Sequence, residues 1–226
     1  MDELKVIEIN ENIFAANDEE ALHVKEFLRK ENVYMLNFMS SPGAGKTTTL
    51  IKLINILKQT LRVALMNVDI ETSLDANRIL LATQVPSMQI NNGGLCHIDA
   101  DMTYRAIKEF GVKDIDLLIL ENIGNLVCPA EFDTGANLNI TILSIPEGDD
   151  KPLKYPLMYE VCDIVIFNKI DTLGVFDFDI EKAKSNILKL NPNAVFFMIS
   201  AKTGEGLDEL ATYIVTKRKK WVGDKE

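Results

Sequence analysis

Lys46 and Thr47 lie in the stretch "SSPGAGKTTT", residues 40–49, and an ammonium beside a hydroxyl after a run of small residues can hold phosphate and a divalent cation. The pattern G-x-x-x-x-G-K-S/T is met at Gly45, Lys46 and Thr47, with Ser40 in place of its first glycine. In this reading the backbone N–H groups of Gly43, Ala44, Gly45 and Thr48 cradle the phosphates, Lys46 reaches the β- and γ-phosphates, and Thr47 coordinates Mg²⁺. Ser40 comes before the amides that do most of the cradling, so weakened rather than abolished binding is expected of it. The competing reading is a glycine-containing turn before an ordinary helix, and further motifs weigh against it.

"NKID", Asn168 to Asp171, follows the apolar run "DIVIF" and includes Lys169. The Asp171 carboxylate can accept both the N1 and the exocyclic amine protons of guanine, a pair that adenine does not offer. "SAKTGEG" follows the next apolar run, with Ser200, Ala201 and Lys202 at its start; the Ala201 N–H is placed to approach guanine O6. Either could be a chance loop. Together, each at the carboxyl end of a strand, they form a guanine signature and make GTP and GDP the expected ligands.

Mg²⁺ and the third phosphate need acidic groups and a close-approaching amide. Asp69, Asp75 and Glu121 are the candidate carboxylates, held directly or through water, and Gly124 can bring its N–H to the γ-phosphate. With Lys46 and Gly124, Asp75 is a candidate catalytic residue that orients the attacking water; capping the helix before "ANRILL" explains it equally well. Asp114 and Asp116 read as a turn before a strand.

A second kind of chemistry is carried by Cys96, His97 and Cys128. Thiolate and imidazole suit Zn²⁺ or Ni²⁺, and three protein ligands leave a coordination position open, as metal transfer requires. Composition alone favours a structural role for such a trio. Cys162, within "YEVCDIVIF", reads as a core residue.

These groups need a scaffold, and the chain supplies an α/β rhythm. "VYMLNFM", "RVALMNV", "DLLILEN", "NITILSI", "DIVIFNK" and "NAVFFMIS" read as strands covered on both faces. "KTTTLIKLINILKQ", "DADMTYRAIKEFG", "DIEKAKSNILKL" and "GLDELATYIVTKRKK" read as helices between and after them. The expected fold is α/β, a doubly wound, mostly parallel sheet of about seven strands with helices on both faces. Residues 1–32 read as an N-terminal helical extension, with Asn17 or Asp18 near the helix start, and 33–226 as the phosphate-loop domain. The net charge of −10 argues against nucleic acid as a partner, and the acidic N-terminus with no long apolar run argues against secretion and membrane insertion. A cytoplasmic protein is expected. "KRKK", Lys217 to Lys220, closes the last helix, where positive charge complements its dipole.

The set "SSPGAGKTT", "NNGGLCHIDADM", "LLILENIGNLVCPAEFD", "EGDDKPLKYP", "NKID" and "SAKTGEG" resembles the HypB family, GTPases that assist nickel insertion into nickel–iron hydrogenase, over about Val33 to Trp221. The resemblance implies slow, Mg²⁺-dependent GTP hydrolysis and a Ni²⁺ or Zn²⁺ site at Cys96, His97 and Cys128 on a subunit interface. It also implies a homodimer promoted by nucleotide and metal, a nickel-delivery partner protein, and a hydrogenase large-subunit precursor as client. Only three residues separate Gly124 from Cys128, so γ-phosphate contact can be passed to the thiol through a short segment ended by Pro129. Departures from the family pattern are Ser40 and Val68, where glycine is usual, Asn92 and Gly94 before the Cys-His pair, and Asp101 and Arg105 where some relatives carry further metal histidines. Two rivals stand beside this reading: a urease-type nickel GTPase of the UreG family, which places Cys-Pro-His where this chain has Cys96 and His97 adjoined, and a nucleotide-regulated metal-binding adaptor with little turnover.

Overall fold

The structure, a computed structural model, describes residues 10–69 and 74–223. Residues 1–9 of the acidic opening stretch and residues 70–73 lie outside the described residues, and of Asp75 only the helical backbone is described. The chain runs α1 (Asn10–Glu31), β1 (Tyr34–Ser40), α2 (Lys46–Leu57), β2 (Val63–Asp69), α3 (Leu74–Thr83), β3 (Ser87–Asn91), α4 (Ala100–Phe110) and β4 (Leu117–Gly124). It continues through α5 (Cys128–Glu131), β5 (Leu138–Ser144), α6 (Lys151–Lys154), α7 (Pro156–Glu160), β6 (Ile164–Asn168), α8 (Ile180–Leu190), β7 (Val195–Met198) and α9 (Leu207–Gly223).

Among the described residues the sheet has seven strands, all paired in parallel, in the order β3-β2-β4-β1-β5-β6-β7. This is the doubly wound architecture expected from the apolar runs. β3 is the strand those runs do not reveal. It lies at the sheet edge, where no residue is fully buried, so Ser87, Gln89 and Asn91 are tolerated and the apolar pattern is diluted.

Alternation along β1 shows how the layers form. Tyr34, Leu36 and Phe38 face a core closed by α2 and α9, while Met35 faces a second core shared with α1 and α4. A third core, holding Met39, Tyr159 and the fully buried Cys162, lies under α7 and α8. Burial holds the Cys162 thiol well above its ordinary range, which keeps it protonated and inert, as the reading of Cys162 as a core residue requires.

α1 begins at Asn10, upstream of the cap expected at Asn17 or Asp18. Asn17 is instead buried within the helix, with its side chain turned onto the domain. Ala21, Val24 and Leu28 of α1 are buried against the sheet, and burying side chains such as Val24 and Leu28 contributes about 1.5–3 kcal/mol each. Asp114 and Asp116 form the turn before β4: Arg62 bonds both carboxylates, and Arg218 of the terminal basic run reaches Asp116 at 2.7 Å.

Candidate nucleotide and metal site

β1 is central, flanked by β4 on one side and β5 on the other, so the loop leaving its carboxyl end opens where the strand order reverses. Ser40 is the last residue of that strand, 1% exposed, and its hydroxyl donates to the Ser41 carbonyl at 2.9 Å. It is not among the residues with positive φ. A glycine is therefore not required at this position. Gly43 and Gly45 are different: they sit at φ +78° and +96°, a region costly for any residue with a side chain.

Gly45 stands at the N-cap of α2 with no side-chain cap. The first amides of that helix consequently face the cleft rather than a capping oxygen, the arrangement that receives phosphate. The cleft encloses about 450 Å³ and is lined by the loop, by Asn67, Val68 and Asp69 of β2, by Arg78 of α3 and by 121–124 of β4. Lys46 donates Nζ to the Asn122 carbonyl, and Thr47 Oγ1 donates to Glu121 Oε1 at 2.9 Å. Glu121, 2% exposed, also accepts from Asn67 Nδ2 at 2.7 Å. Lys46, Thr47, Glu121, Asp69 and Gly124 thus share one cleft, and Asp75 is the second residue of α3, the helix that carries Arg78 to it.

Two lining residues belong to no motif. Asn67 is a mid-strand residue, and Arg78 lies in a helix far from any phosphate motif; neither has a sequence signal of its own. Among the described residues, the buried Asn67 Oδ1 has no partner and belongs to the cleft lining. With the Thr47 hydroxyl and the Asp69 and Glu121 carboxylates, it makes a hard-oxygen donor set, which fits Mg²⁺ and the waters Mg²⁺ retains.

The guanine motifs meet beside the phosphate loop. Asn168 Nδ2 donates to the Ala44 carbonyl at 2.8 Å, and its Oδ1 accepts from the amides of Lys169 at 2.8 Å and Ala201 at 3.2 Å. Lys169 Nζ reaches the Gly43 carbonyl at 2.7 Å. The Ala201 N–H, expected to face guanine O6, is engaged by Asn168 here. Asp171 accepts from the Ser200 hydroxyl at 2.6 Å, and Lys202 stands 3.8 Å from its other oxygen. A Cβ on Gly45 would lie 2.5 Å from Asn168 Nδ2, so the close approach of the two motifs depends on that glycine.

Gly124 lies against the loop from the other side. Pairing of β1 with β4 runs Phe38 to Glu121 and then Ser40 to Gly124, so β4 carries an extra residue there, a bulge that re-aims the end of the strand. A Cβ on Gly124 would be 3.3 Å from Pro42 Cγ. Four residues on, Cys128 opens α5.

Cys96 is exposed and Cys128 half-buried. The Cys128 thiol beside it, foremost, together with burial raises the Cys96 thiol above its ordinary range. Cys96 Sγ is 3.8 Å from His97 Nδ1, while the His97 ring stacks on Phe132 with centroids 3.9 Å apart and planes 3° from parallel. The structure thus brings Cys96 to both His97 and Cys128. Among the described residues no three His, Cys, Asp or Glu side chains form a ready-made metal cluster. Asp101 and Arg105 bond each other at 2.6 Å on the surface of α4.

Residues 34–198 match the CobW/HypB/UreG nucleotide-binding domain model. The chain is 41% identical to "Hydrogenase maturation factor HypB" of Azotobacter chroococcum mcd 1, over 95% of this chain and 70% of that one. It is also 41% identical to "Hydrogenase/urease maturation factor HypB" of Helicobacter pylori J99, over 95% and 89%. Among solved structures, HypB of Helicobacter pylori in complex with nickel superposes with TM-score 0.84 at 40% identity, over 91% of this chain and 96% of that one. HypB of Archaeoglobus fulgidus gives 0.82 at 32%, over 90% and 99%. With the first guanine motif bonded to the phosphate loop and Cys128 opening the helix that follows Gly124, the chain belongs to the CobW/HypB/UreG family of nucleotide-binding proteins, on its HypB branch.

Proposed function

We propose that this protein is a cytoplasmic GTP-hydrolysing metallochaperone that binds nickel and couples its nucleotide state to nickel delivery during hydrogenase maturation. The observation that carries the reading is the position of Gly124 in the cleft beside Pro42, where an added Cβ would come within 3.3 Å of it, together with the placement of Cys128 at the start of the next helix. One short segment then answers both to the phosphates and to the metal. Two relatives named for hydrogenase maturation, and a solved one in complex with nickel, support this choice of client and cargo.

In the mechanism that follows, the backbone amides of Gly43 to Thr48 and the ammonium of Lys46 take up the phosphates. Lys46 exchanges the Asn122 carbonyl for phosphate oxygens, which frees the 121–124 segment to move toward the γ-phosphate. Thr47, Asp69 and Glu121 would hold Mg²⁺, with Asp75 a further candidate, and the cation, when bound, offsets charge on the β- and γ-phosphates. Asp171 selects guanine. Cys96, His97 and Cys128 receive Ni²⁺, or Zn²⁺ where that is the more available ion, and leave a position open for transfer. Exposed Leu95 and Val127 flank the two thiols, so a second copy that completes the site would also cover apolar surface. The acceptor is a hydrogenase large-subunit precursor, and the donor a nickel-delivery protein.

Multiple-turnover GTP hydrolysis tests the enzyme half of the reading. Phosphate release that continues linearly well past one equivalent, and stops in Lys46→Ala, supports a GTPase. Tight stoichiometric GTP binding without turnover would make the chain a regulated adaptor instead.

A further inference from the structure

The thiol segment and the Cys-His loop are far apart in sequence, and one element touches both. Asn17, within α1 and 8% exposed, donates Nδ2 to the Asp133 carbonyl at 3.0 Å and accepts the Ala100 amide on Oδ1 at 2.9 Å. Ala100 opens α4 three residues after His97; Asp133 lies five residues after Cys128. A single buried side chain thereby fixes how far the two ligand-bearing segments stand from each other. Around it the same helix makes further contacts. Lys25 pairs with Asp133 at 2.6 Å, and Val24 leaves no room for a Cβ on Gly135, which at φ +77° closes the turn after Asp133. The Phe14 ring lies 5.4 Å from Phe132, the ring on which His97 stacks.

From this juxtaposition we propose that α1 sets the geometry of the nickel site, with Asn17 positioning the two ligand segments and Phe132, backed by Phe14, positioning the His97 imidazole. The inference deepens the nickel reading given above and rests on it. Asn17 and the two phenylalanines touch no metal; they act through the ligands. Stacking on Phe132 restricts the rotation of the His97 ring, so His97 is presented to the cation at a lower ordering cost than an unstacked loop histidine would carry. Asn17 does the same for the backbone by satisfying both a donor and an acceptor that would otherwise be stranded.

Ni²⁺ titration of the full chain, followed by the thiolate-to-nickel charge-transfer absorbance, tests this on the wild type, Asn17→Ala, Phe14→Ala, Phe132→Leu and Phe132→Tyr. GTP affinity and thermal melting are recorded in parallel as controls for the fold. Asn17→Ala and Phe132→Leu are expected to weaken Ni²⁺ binding by about tenfold and to alter the band, with GTP affinity within about twofold; Phe132→Tyr, which keeps the stack, should restore the wild-type band and affinity. Phe14→Ala, which leaves the Asn17 bonds in place, carries the test should Asn17→Ala fail to fold. Wild-type Ni²⁺ affinity and spectrum in folded Asn17→Ala, or in folded Phe14→Ala and Phe132→Leu, would overturn the inference alone. A wild type with no nickel–thiolate band would overturn the proposed function and this inference with it.

Discussion

Asn168 and Ala44 lie 124 positions apart in the sequence and are joined by a 2.8 Å hydrogen bond from the Asn168 amide to the Ala44 carbonyl. The same side chain accepts the Ala201 amide, so one asparagine holds the phosphate loop to both guanine loops. Asn168→Ala is expected to strand buried backbone groups and to cost about 1–3 kcal/mol. Affinity for GTP and GDP should fall together, because the lost contact supports the loop and not the third phosphate. Parallel titrations of the two nucleotides check this; a loss confined to GTP would speak for a different role.

Ser40 and Gly45 predict opposite responses to small changes. Ser40→Gly should alter nucleotide affinity by less than about threefold, since Ser40 is a strand residue with its hydroxyl satisfied. It should lower stability by about 0.5–1 kcal/mol, the usual cost of glycine in a strand. Gly45→Ala meets both a φ of +96° and a Cβ contact of 2.5 Å with Asn168, and should weaken nucleotide binding by about tenfold or more. Calorimetric titration of the two variants decides it.

Arg78 lines the same cleft as Lys46 and Glu121. Arg78→Ala is expected to reduce GTP turnover by about tenfold or more while leaving GDP affinity nearly unchanged, the signature of a cation that serves the transferred phosphoryl group. Unchanged turnover would leave Arg78 a surface residue of α3.

Asp116 links stability to acidity. Hydrogen bonds from Arg62 first, with the charge of Arg218 also contributing, hold its carboxyl below the ordinary 3.8, and burial opposes them. A group whose folded value is depressed adds stability that is present above its unfolded range and lost as pH falls through the folded value. Asp116→Asn should therefore lower the melting temperature at neutral pH and flatten the decline of stability at pH below about 4. Melting curves across that range provide the check.

Phosphate-loop spacing, the two guanine loops and the central strands were legible because each is a local pattern whose chemistry fixes residue type. Ser40 looked like a defect only because spacing carries no φ; the extended backbone of the strand explains why serine is accommodated. Asn67, Arg78 and Asn17 were not legible as site residues. An asparagine inside a strand or helix, or an arginine on an exposed helix, has no positional signature, and only the pairing of β2 with β4 and the packing of α1 and α3 bring these side chains to the cleft or the ligand segments. The edge strand β3 was hidden for a related reason, since half-burial permits polar residues.

The most direct test of a segment that answers to both phosphate and metal is Ni²⁺ affinity measured with and without a non-hydrolysable GTP analogue and Mg²⁺, on the wild type and on Cys128→Ala, with molecular mass followed in the same samples. Coupling through Gly124 and Cys128 predicts that the analogue shifts Ni²⁺ affinity by about fivefold or more and raises the dimer fraction, that Ni²⁺ shifts analogue affinity by the same factor, and that Cys128→Ala abolishes both shifts. Tight GTP binding with a Ni²⁺ affinity indifferent to nucleotide, in wild type as in Cys128→Ala, would contradict it.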